Sequence, residues 1–202
     1  EKDIELLSKK KTDLLFFPSI KDLYPKGIKK EKTIFQHRNI LCDNYRPGHF
    51  DGVTTVVKSL FELIKPDHAF FGEKDFQQLK IIKKIVEEFS LQILIHGCPS
   101  IRMKNCMSFS SRYARFINSQ KNIFNNAAKL IMKSNSKLKK NIDLSIIENL
   151  RQELIINGVN KIDYIEVRDE INLLPTLNNN NARLFLAFYI DDIRIVDNFI
   201  LY

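Results

Sequence analysis

The 202-residue sequence predicts an α/β fold followed by a smaller α+β unit. In the first half, short apolar runs alternate with amphipathic segments whose apolar residues recur every three or four positions, as in strands joined by crossover helices. In the second half, two helix-like segments precede closely spaced strand candidates, which is typical of an antiparallel meander. Composition agrees, since 44% of the residues are hydrophobic and 28% are charged, as in ordinary globular chains.

The first half is predicted to hold parallel strands with helices between them. A basic helix end is predicted over residues 2–11 and a short helical turn over residues 20–24. The apolar run 14–17, stopped by Pro18, is predicted as a buried strand. The later elements are a helix over 53–64, a strand over 69–71, a helix over 76–89 and a strand over 91–95. Parallel strands bind ligands beyond their carboxyl ends, where the glycine-bearing segments 71–75 and 96–98 are expected.

The second half is predicted to be a small α+β unit. Its elements are helices over 119–133 and 144–157, strands over 164–167, 183–190 and 193–197, and a polar turn over 178–181. Asp143 is the expected N-cap of the second helix and Gly158 its end. We therefore divide the chain into domains 1–98 and 99–202. A site that flanks such a boundary is able to close on its substrate.

The charge and cysteine content exclude several classes of protein. The net charge of +8 and pI near 9.3 would fit a nucleic-acid binder, but the lysines are dispersed and no aromatic-interleaved basic stripe occurs. Most of this charge is interpreted as solvated surface.

The cysteines, Cys42, Cys98 and Cys106, form no Cys-x-x-Cys pair and favour a reducing, cytoplasmic setting. The four histidines (His37, His49, His68 and His96) lack the spacing of metal ligands, and no apolar run reaches the roughly 20 residues of a membrane helix.

Residues 70–79 carry the clearest chemical signal. They read Phe-Phe-Gly-Glu-Lys-Asp-Phe-Gln-Gln-Leu, between a strand and a helix. Glycine lets a backbone approach a ligand closely, and Lys74 offers a compact positive charge to phosphate oxygens. Asp75 is expected to cap the helix, to accept hydrogen bonds from sugar hydroxyls, or to do both. Alone, the motif also fits a solvated helix start, so its neighbours decide the interpretation.

Those neighbours extend the signal over the whole chain. Residues 46–61 begin Arg-Pro-Gly-His-Phe, residues 16–27 contain Phe-Phe-Pro-Ser and Tyr-Pro-Lys-Gly, and Ser-Ser-Arg stands at 110–112. In this order and spacing, from about Asp3 to Asn198, the chain resembles the pantothenate synthetases, the ATP-dependent pantoate–β-alanine ligases. The resemblance implies a partial Rossmann-like nucleotidyltransferase domain followed by a small α+β lid domain, in a cytoplasmic protein that is a homodimer when full length. Neither nucleic acid nor membrane is expected as a partner.

The resemblance also implies a reaction and a set of residues. Pantoate carboxylate attacks the α-phosphate of ATP, pyrophosphate leaves, and the amine of β-alanine displaces AMP from pantoyl adenylate to give pantothenate, a precursor of coenzyme A. ATP and Mg²⁺ are the implied nucleotide substrate and metal. The implied catalytic residues are Lys74, Ser110, Ser111 and Arg112. The implied ATP-binding residues are Gly72, Glu73, Lys74, Asp75, Ile101, Phe109, Ser110, Ser111 and Arg112, with Gln78 for pantoate and Asp3 as a magnesium ligand. Arg46 and His49 are interpreted as structural residues of a tight turn.

Two departures from the family pattern leave alternatives open. The family's His-x-Gly-His motif and Asn-Pro-x-Gln-Phe stretch do not occur in these residues, and the first residue is Glu1 rather than Met. We therefore expect an amino-terminal truncation, an exposed strand edge and a largely inactive fragment, since each missing charge stabiliser typically costs about 10²- to 10³-fold in rate. The alternatives are a non-catalytic nucleotide-binding or interaction protein derived from the family, or another adenylate-forming or nucleotidyl-transferring enzyme.

The second departure lies in the loop before and after Ser-Ser-Arg. The family's Asp-Gly-Leu-Ala and the following Asn are replaced by the run 105–109, which reads Asn-Cys-Met-Ser-Phe, and by Tyr113. We expect the lost glycine to restrict the loop backbone and the lost carboxylate to remove an anchor of the loop. A nucleic-acid binder is the least favoured interpretation.

Overall fold

The computed structural model describes residues 2–32 and 38–202. Residues 33–37, among them His37, lie outside the described residues. The helices of the first half are α1 (Lys2–Lys9), α2 (Ile20–Leu23), α3 (Leu41–Tyr45), α4 (His49–Ile64) and α5 (Phe76–Glu88), and its strands are β1 (His68–Gly72) and β2 (Leu94–Cys98). None of the described helices is both long and apolar enough to cross a membrane.

The strands β1 and β2 pair in parallel, as the alternation of strand and helix predicts. The register runs from His68 opposite Leu94 to Gly72 opposite Cys98, with α5 as the crossover. Strand β2 begins three residues later than predicted. The residues opposite its predicted start are Lys65, which is left-handed with φ of 50°, and Pro66, which has no N–H to donate. Pairing therefore starts only where β1 does.

The predicted strand over residues 14–17 is wrong. This run has no regular secondary structure, and the side chains of Leu14 and Phe17 are 79% and 86% exposed. A strand needs a neighbouring backbone to satisfy its N–H and C=O groups. Within 2–32 and 38–202 no strand pairs with this run, so apolar content alone does not fix its conformation.

The second half forms the predicted α+β unit. Its helices are α6 (Asn118–Leu138) and α7 (Leu144–Ile156), and its strands are β3 (Lys161–Asp169), β4 (Ala182–Ile190) and β5 (Ile193–Ile200). The strands form an antiparallel sheet in the order β3-β4-β5. Asp143 caps α7 as predicted, because its carboxylate accepts a hydrogen bond from the Ser145 N–H at 2.8 Å. Gly158 follows α7 with φ of 94°, the left-handed conformation that glycine adopts most readily.

Apolar packing joins the two halves. The largest core lies between α6, α7 and one face of the β3-β4-β5 sheet. A second cluster on the other face includes Leu41 and Phe76 from the first half together with Tyr164 and Phe185 from the second. Since this cluster crosses the predicted boundary at residue 98, it fixes the carboxyl end of β1 against the antiparallel sheet. The division into 1–98 and 99–202 stays a proposal.

Candidate active site

A cavity of about 330 Å³ lies beyond the carboxyl end of β1. Its lining comes from both halves of the chain: from residues within 41–50 and 74–78 of the first half, and from residues within 103–113, Phe116 and residues 194–198 of the second half. Phe124, Tyr164 and Phe185 complete the lining. A cavity of this size is within the range of small-molecule sites, which commonly lie where domains meet.

Lys74 is half-buried at the edge of this cavity. It lies in the 3₁₀ turn Glu73–Asp75, which connects β1 directly to α5. Its Nζ donates a hydrogen bond to the Phe109 carbonyl at 3.1 Å, and an ammonium has two further N–H donors for a ligand. Burial lowers the pKa of Lys74; Asp197 and Asp75 act against this, and Arg112 adds to it. Lys74 is therefore a partly desolvated cation, and its interaction with an anion is stronger there than in bulk water.

Arg112 reaches the same cavity from the second half. It lies in the 3₁₀ turn Ser111–Arg115, which Ser110 caps by accepting the Arg112 N–H at 3.2 Å. Its Nη1 donates to the Arg194 carbonyl at 2.6 Å, which holds the guanidinium against β5. Its charge is one of those that lower the pKa of Lys74. The two cations predicted from the sequence to meet at one nucleotide thus line one cavity.

The predicted residues divide into two groups by position. The cavity is lined by Lys74, Asp75, Gln78, Phe109, Ser110, Ser111 and Arg112. The other predicted residues, Gly72, Glu73, Ile101 and Asp3, are not among those that line it. Glu73 instead faces Arg183, with 3.8 Å between Oε2 and Nη2. Ile101 is 80% exposed, and Asp3 is exposed on α1.

The expectation that Asp75 caps α5 is wrong, because its side chain makes no capping hydrogen bond. The chain enters α5 through a 3₁₀ turn, and the exposed carboxylate of Asp75 lines the cavity instead. The accompanying expectation, that Asp75 accepts from sugar hydroxyls, is compatible with this position and stays a prediction. No group of three or more possible metal ligands occurs in residues 2–32 and 38–202.

The two adjacent glutamines have different surroundings. Gln77 is 5% exposed; its Oε1 accepts the Cys42 N–H at 2.9 Å and its Nε2 donates to the Ile40 carbonyl at 3.0 Å. These two bonds hold α3 against α5. Gln78 lines the cavity and makes no hydrogen bond to the described residues, so its amide is available to a ligand.

Several cavity residues were not predicted from the sequence. Arg46 and His49, interpreted as structural, also line the cavity, and Arg46 Nη1 lies 2.9 Å from His49 Nε2. Because a guanidinium only donates, Nε2 must accept, which makes the imidazole neutral with its proton on Nδ1. Burial lowers the pKa of His49, and Arg46 adds to the effect. Arg46 and His49 also form the tight turn predicted from the sequence, since the His49 N–H donates to the Arg46 carbonyl at 3.1 Å and Gly48 between them has φ of 75°.

The divergent loop before Ser-Ser-Arg keeps an anchor, contrary to expectation. Asn105 replaces the family's carboxylate, yet its Nδ2 donates to Asn125 Oδ1 at 2.8 Å and its Oδ1 accepts the Met107 N–H at 3.2 Å. Ser108 adds a hydrogen bond from its Oγ to Asp197 at 2.5 Å. Cys106 has φ of 67°, so the loop adopts the left-handed conformation without the family's glycine; the expected restriction of its backbone stays a prediction.

We expect Cys106→Gly to leave stability unchanged or to raise it slightly, and Cys106→Val to lower it. A left-handed conformation costs an L residue roughly 1–2 kcal/mol, and β-branching adds to that cost. Glycine removes the strain but loses about 0.5–1 kcal/mol of chain entropy. The measurement is the urea midpoint of the three proteins at one pH. A Cys106→Val protein as stable as the parent would show that the loop is not strained.

Comparison with known proteins identifies the family. The family model described as pantoate-beta-alanine ligase matches residues 1–200. The chain belongs to the pantoate–β-alanine ligase family. Among its relatives, the pantothenate synthetase of Buchnera aphidicola subsp. Acyrthosiphon pisum (strain Tuc7) is 39% identical over 98% of this chain and 71% of that protein. The enzyme of Sulfurihydrogenibium sp. (strain YO3AOP1) is 32% identical over 98% and 72%.

Solved structures of the pantoate–β-alanine ligase family share the fold described above. The pantoate-beta-alanine ligase of Francisella tularensis, complexed with "Beta-gamma ATP and Beta-alanine", has a TM-score of 0.82 and 34% identity, over 99% of this chain and 69% of that one. The pantothenate synthetase of Thermus thermophilus has a TM-score of 0.87 and 26% identity, over 100% and 74%. The predicted fold class, a nucleotidyltransferase-type parallel sheet followed by an α+β unit, is confirmed.

Proposed function

We propose that the complete gene product catalyses the ATP-dependent condensation of pantoate with β-alanine, forming pantothenate, AMP and pyrophosphate, and that residues 1–202 supply Lys74 and Arg112 to its active site. The observation that carries the proposal is the cavity in which Lys74 and Arg112 approach from opposite halves of a pantoate–β-alanine ligase fold. The Francisella tularensis relative, complexed with the ATP compound and β-alanine, supports the same choice of substrates.

In the first step the pantoate carboxylate attacks the α-phosphorus of ATP, and the bond from that phosphorus to the bridging oxygen breaks to release pyrophosphate. Negative charge on the phosphate oxygens is stabilised by the ammonium of Lys74 and the guanidinium of Arg112. The hydroxyls of Ser110 and Ser111 are available as further donors. The amide of Gln78 orients pantoate, and Asp75 accepts from the ribose hydroxyls.

In the second step the β-alanine amine attacks the acyl carbon of pantoyl adenylate. A C–N bond forms, the acyl C–O bond breaks, AMP leaves with the bonding electron pair, and the nitrogen loses a proton. The reaction requires positioning and charge stabilisation more than an acid–base pair. This requirement fits a cavity in which cations and hydroxyl groups are the prominent polar side chains.

Mg²⁺ is proposed to enter with ATP rather than to occupy a site built by the protein. The described residues present no cluster of three or more ligands, and Mg²⁺ is commonly held by substrate phosphates with one or two carboxylates. Asp75 is the exposed carboxylate at the cavity; Asp3 remains a proposed ligand.

A cytoplasmic homodimer is likewise proposed, and the free thiols of Cys42, Cys98 and Cys106 suit a reducing compartment.

The test is the formation of AMP from ATP by the complete gene product, with residues 1–202 assayed beside it. AMP and pantothenate are expected in equal amounts, and only when pantoate and β-alanine are both present. ATP binding without AMP formation by the complete gene product would favour the second candidate, a nucleotide-binding protein derived from the family. The altered loop over residues 105–113 keeps that candidate open, although hydrogen bonds from Asn105 and Ser108 anchor it to Asn125 and Asp197.

The adjacent glutamines provide a matched pair of variants. Gln78→Ala is expected to raise the KM for pantoate about fivefold without changing the urea midpoint, because its amide makes no hydrogen bond to the described residues and one lost hydrogen bond to a ligand costs about 1 kcal/mol. Gln77→Ala is expected to destabilise the protein by about 1–3 kcal/mol, because it removes both bonds between α3 and α5. If Gln78→Ala leaves the KM for pantoate unchanged, Gln78 does not bind that substrate.

The lowered pKa of Lys74 predicts a pH dependence. The charged form binds phosphate, so kcat/KM for ATP should fall as pH rises through a value below the ordinary lysine pKa of 10.5. Lys74→Arg keeps its charge at higher pH, because the pKa of a guanidinium lies well above that of an ammonium, so this decline should move to higher pH. The effect of Lys74 on folding stability has the opposite dependence on pH. Between the lowered pKa and 10.5 the unfolded chain binds more protons than the folded chain, so Lys74 makes the free energy of unfolding rise with pH in this range. An identical alkaline decline in Lys74→Arg would assign the titration to another group.

A further inference from the structure

Two consecutive residues of β5, Asp197 and Asn198, contact both halves of the cavity. The Asn198 Nδ2 donates to the carbonyls of Glu73 and Lys74, each at 2.9 Å. Asp197 is 1% exposed and accepts the Ser108 N–H at 2.7 Å and the Ser108 hydroxyl at 2.5 Å. The turn that carries Lys74 and the loop that carries Ser-Ser-Arg are therefore attached to one short stretch of one strand.

The orientation of the Asn198 amide follows from its neighbours. Arg183 Nη1 lies 2.6 Å from Asn198 Oδ1, and a guanidinium offers only donors, so the amide oxygen must face it. The NH₂ group is thereby directed at the two carbonyls of the turn. Asn198 is 2% exposed, and its own carbonyl accepts from Arg102 Nη2 at 2.7 Å. Burial shields these bonds from bulk water, and the side chain is held between Arg183 and the turn while Arg102 holds its backbone.

We propose that Asn198 is a positioning residue of the ligation, acting on Lys74 by fixing the backbone of the Glu73–Asp75 turn. Asp197 fixes the facing loop at Ser108, one residue before the Phe109 carbonyl that accepts from Lys74 Nζ at 3.1 Å. Asp197 and Asn198 together thus set the separation between the Lys74 ammonium and the loop that ends in Arg112. This inference rests on the proposed role of Lys74 in binding phosphate.

Asn198→Asp is the appropriate variant, because it removes both donors to the turn and keeps an oxygen for Arg183. We expect kcat/KM for ATP to fall about 10²-fold, the size of loss that a small misplacement of a catalytic group produces. The KM for β-alanine should stay unchanged. Asn179→Asp is the matched control, because Asn179 Nδ2 also donates to two successive carbonyls, those of Leu138 and Lys139 at 3.5 and 2.8 Å, and does not line the cavity.

A double-mutant cycle with Lys74→Ala separates positioning from general destabilisation. If Asn198 acts through Lys74, Asn198→Asp lowers kcat/KM for ATP in the parent and has almost no further effect in the Lys74→Ala protein. Equal losses in both backgrounds would overturn the proposal, because Asn198 would then act independently of Lys74.

Amide hydrogen exchange over residues 73–75 gives a readout that needs no turnover. Exchange there should be faster in Asn198→Asp than in the parent, and unchanged in Asn179→Asp. Unchanged exchange in Asn198→Asp would overturn the positioning role even if activity fell. If Lys74→Ala itself leaves ligation intact, the proposed function of Lys74 fails, and exchange still decides whether Asn198 holds the turn.

Discussion

Replacing Lys74 with alanine is expected to lower the rate of AMP formation about 10²- to 10³-fold, the cost of removing one preorganised charge stabiliser. The ammonium lies at the edge of the cavity, has the Phe109 carbonyl as its hydrogen-bond partner, and is partly desolvated. A ligand phosphate would therefore interact with it in a medium of low effective dielectric. The measurement is steady-state AMP formation at saturating pantoate and β-alanine.

Lys80→Ala is the matched control for this prediction. Lys80 lies on α5, within two helical turns of Lys74, and burial lowers its pKa as it does that of Lys74. Because Lys80 does not line the cavity, its loss should leave the rate within about twofold, the change expected when a surface group away from the chemistry is replaced. Equal losses in both variants would indicate a general electrostatic or folding effect rather than contact with phosphate.

Lys74→Met separates activity from stability. The methionine keeps an unbranched apolar stem and removes the ammonium that burial disfavours. Stability should therefore rise below the lowered pKa of Lys74, whereas ligation should be lost as in the alanine variant. A gain in stability together with a loss of rate is the pattern expected of a residue retained for function.

The parts of the site that could be predicted from the sequence are those with local signals. The Gly72–Asp75 segment stands between a strand and an amphipathic helix, so both its position at a strand end and the basic character of Lys74 follow from neighbouring residues. Ser110 and Arg112 were found by resemblance, since a Ser-Ser-Arg triplet alone is common in loops. In each case the relevant information lies within a few positions of the residue.

The parts that could not be predicted depend on pairing between distant segments. Asn198 lies 124 positions from Lys74, whose carbonyl accepts its amide hydrogen bond, and nothing in the alternation of β5 marks it as different from other strand residues. Gln77 and Gln78 are identical and adjacent, yet one holds α3 and the other lines the cavity, because their directions differ by about 100° around a helix. The strand prediction for residues 14–17 is wrong for a related reason. The apolar content of this run predicts burial, whereas strand formation requires a neighbouring strand as its partner.

Replacing Arg112 with alanine is expected to lower the rate of AMP formation about 10²-fold, by the same loss of charge stabilisation. Arg112 is exposed on the second half of the chain, and its Nη1 is held at 2.6 Å by the Arg194 carbonyl, which leaves further N–H donors for phosphate oxygens. Arg112→Lys should recover part of the loss, because it keeps the charge and loses the planar, bidentate geometry.

Arg115→Ala is the control for Arg112, because both residues belong to the same short 3₁₀ turn. Arg115 is exposed and forms a loose ion pair with Asp192, 3.9 Å between Nη2 and Oδ2, and such pairs contribute only about 0–1 kcal/mol. Its loss should leave both the rate and the urea midpoint almost unchanged. If Arg112→Ala retains full activity while Lys74→Ala does not, only the first half of the chain would supply a cation to the phosphates. The proposal that the two halves meet at a single ATP would then have to be given up.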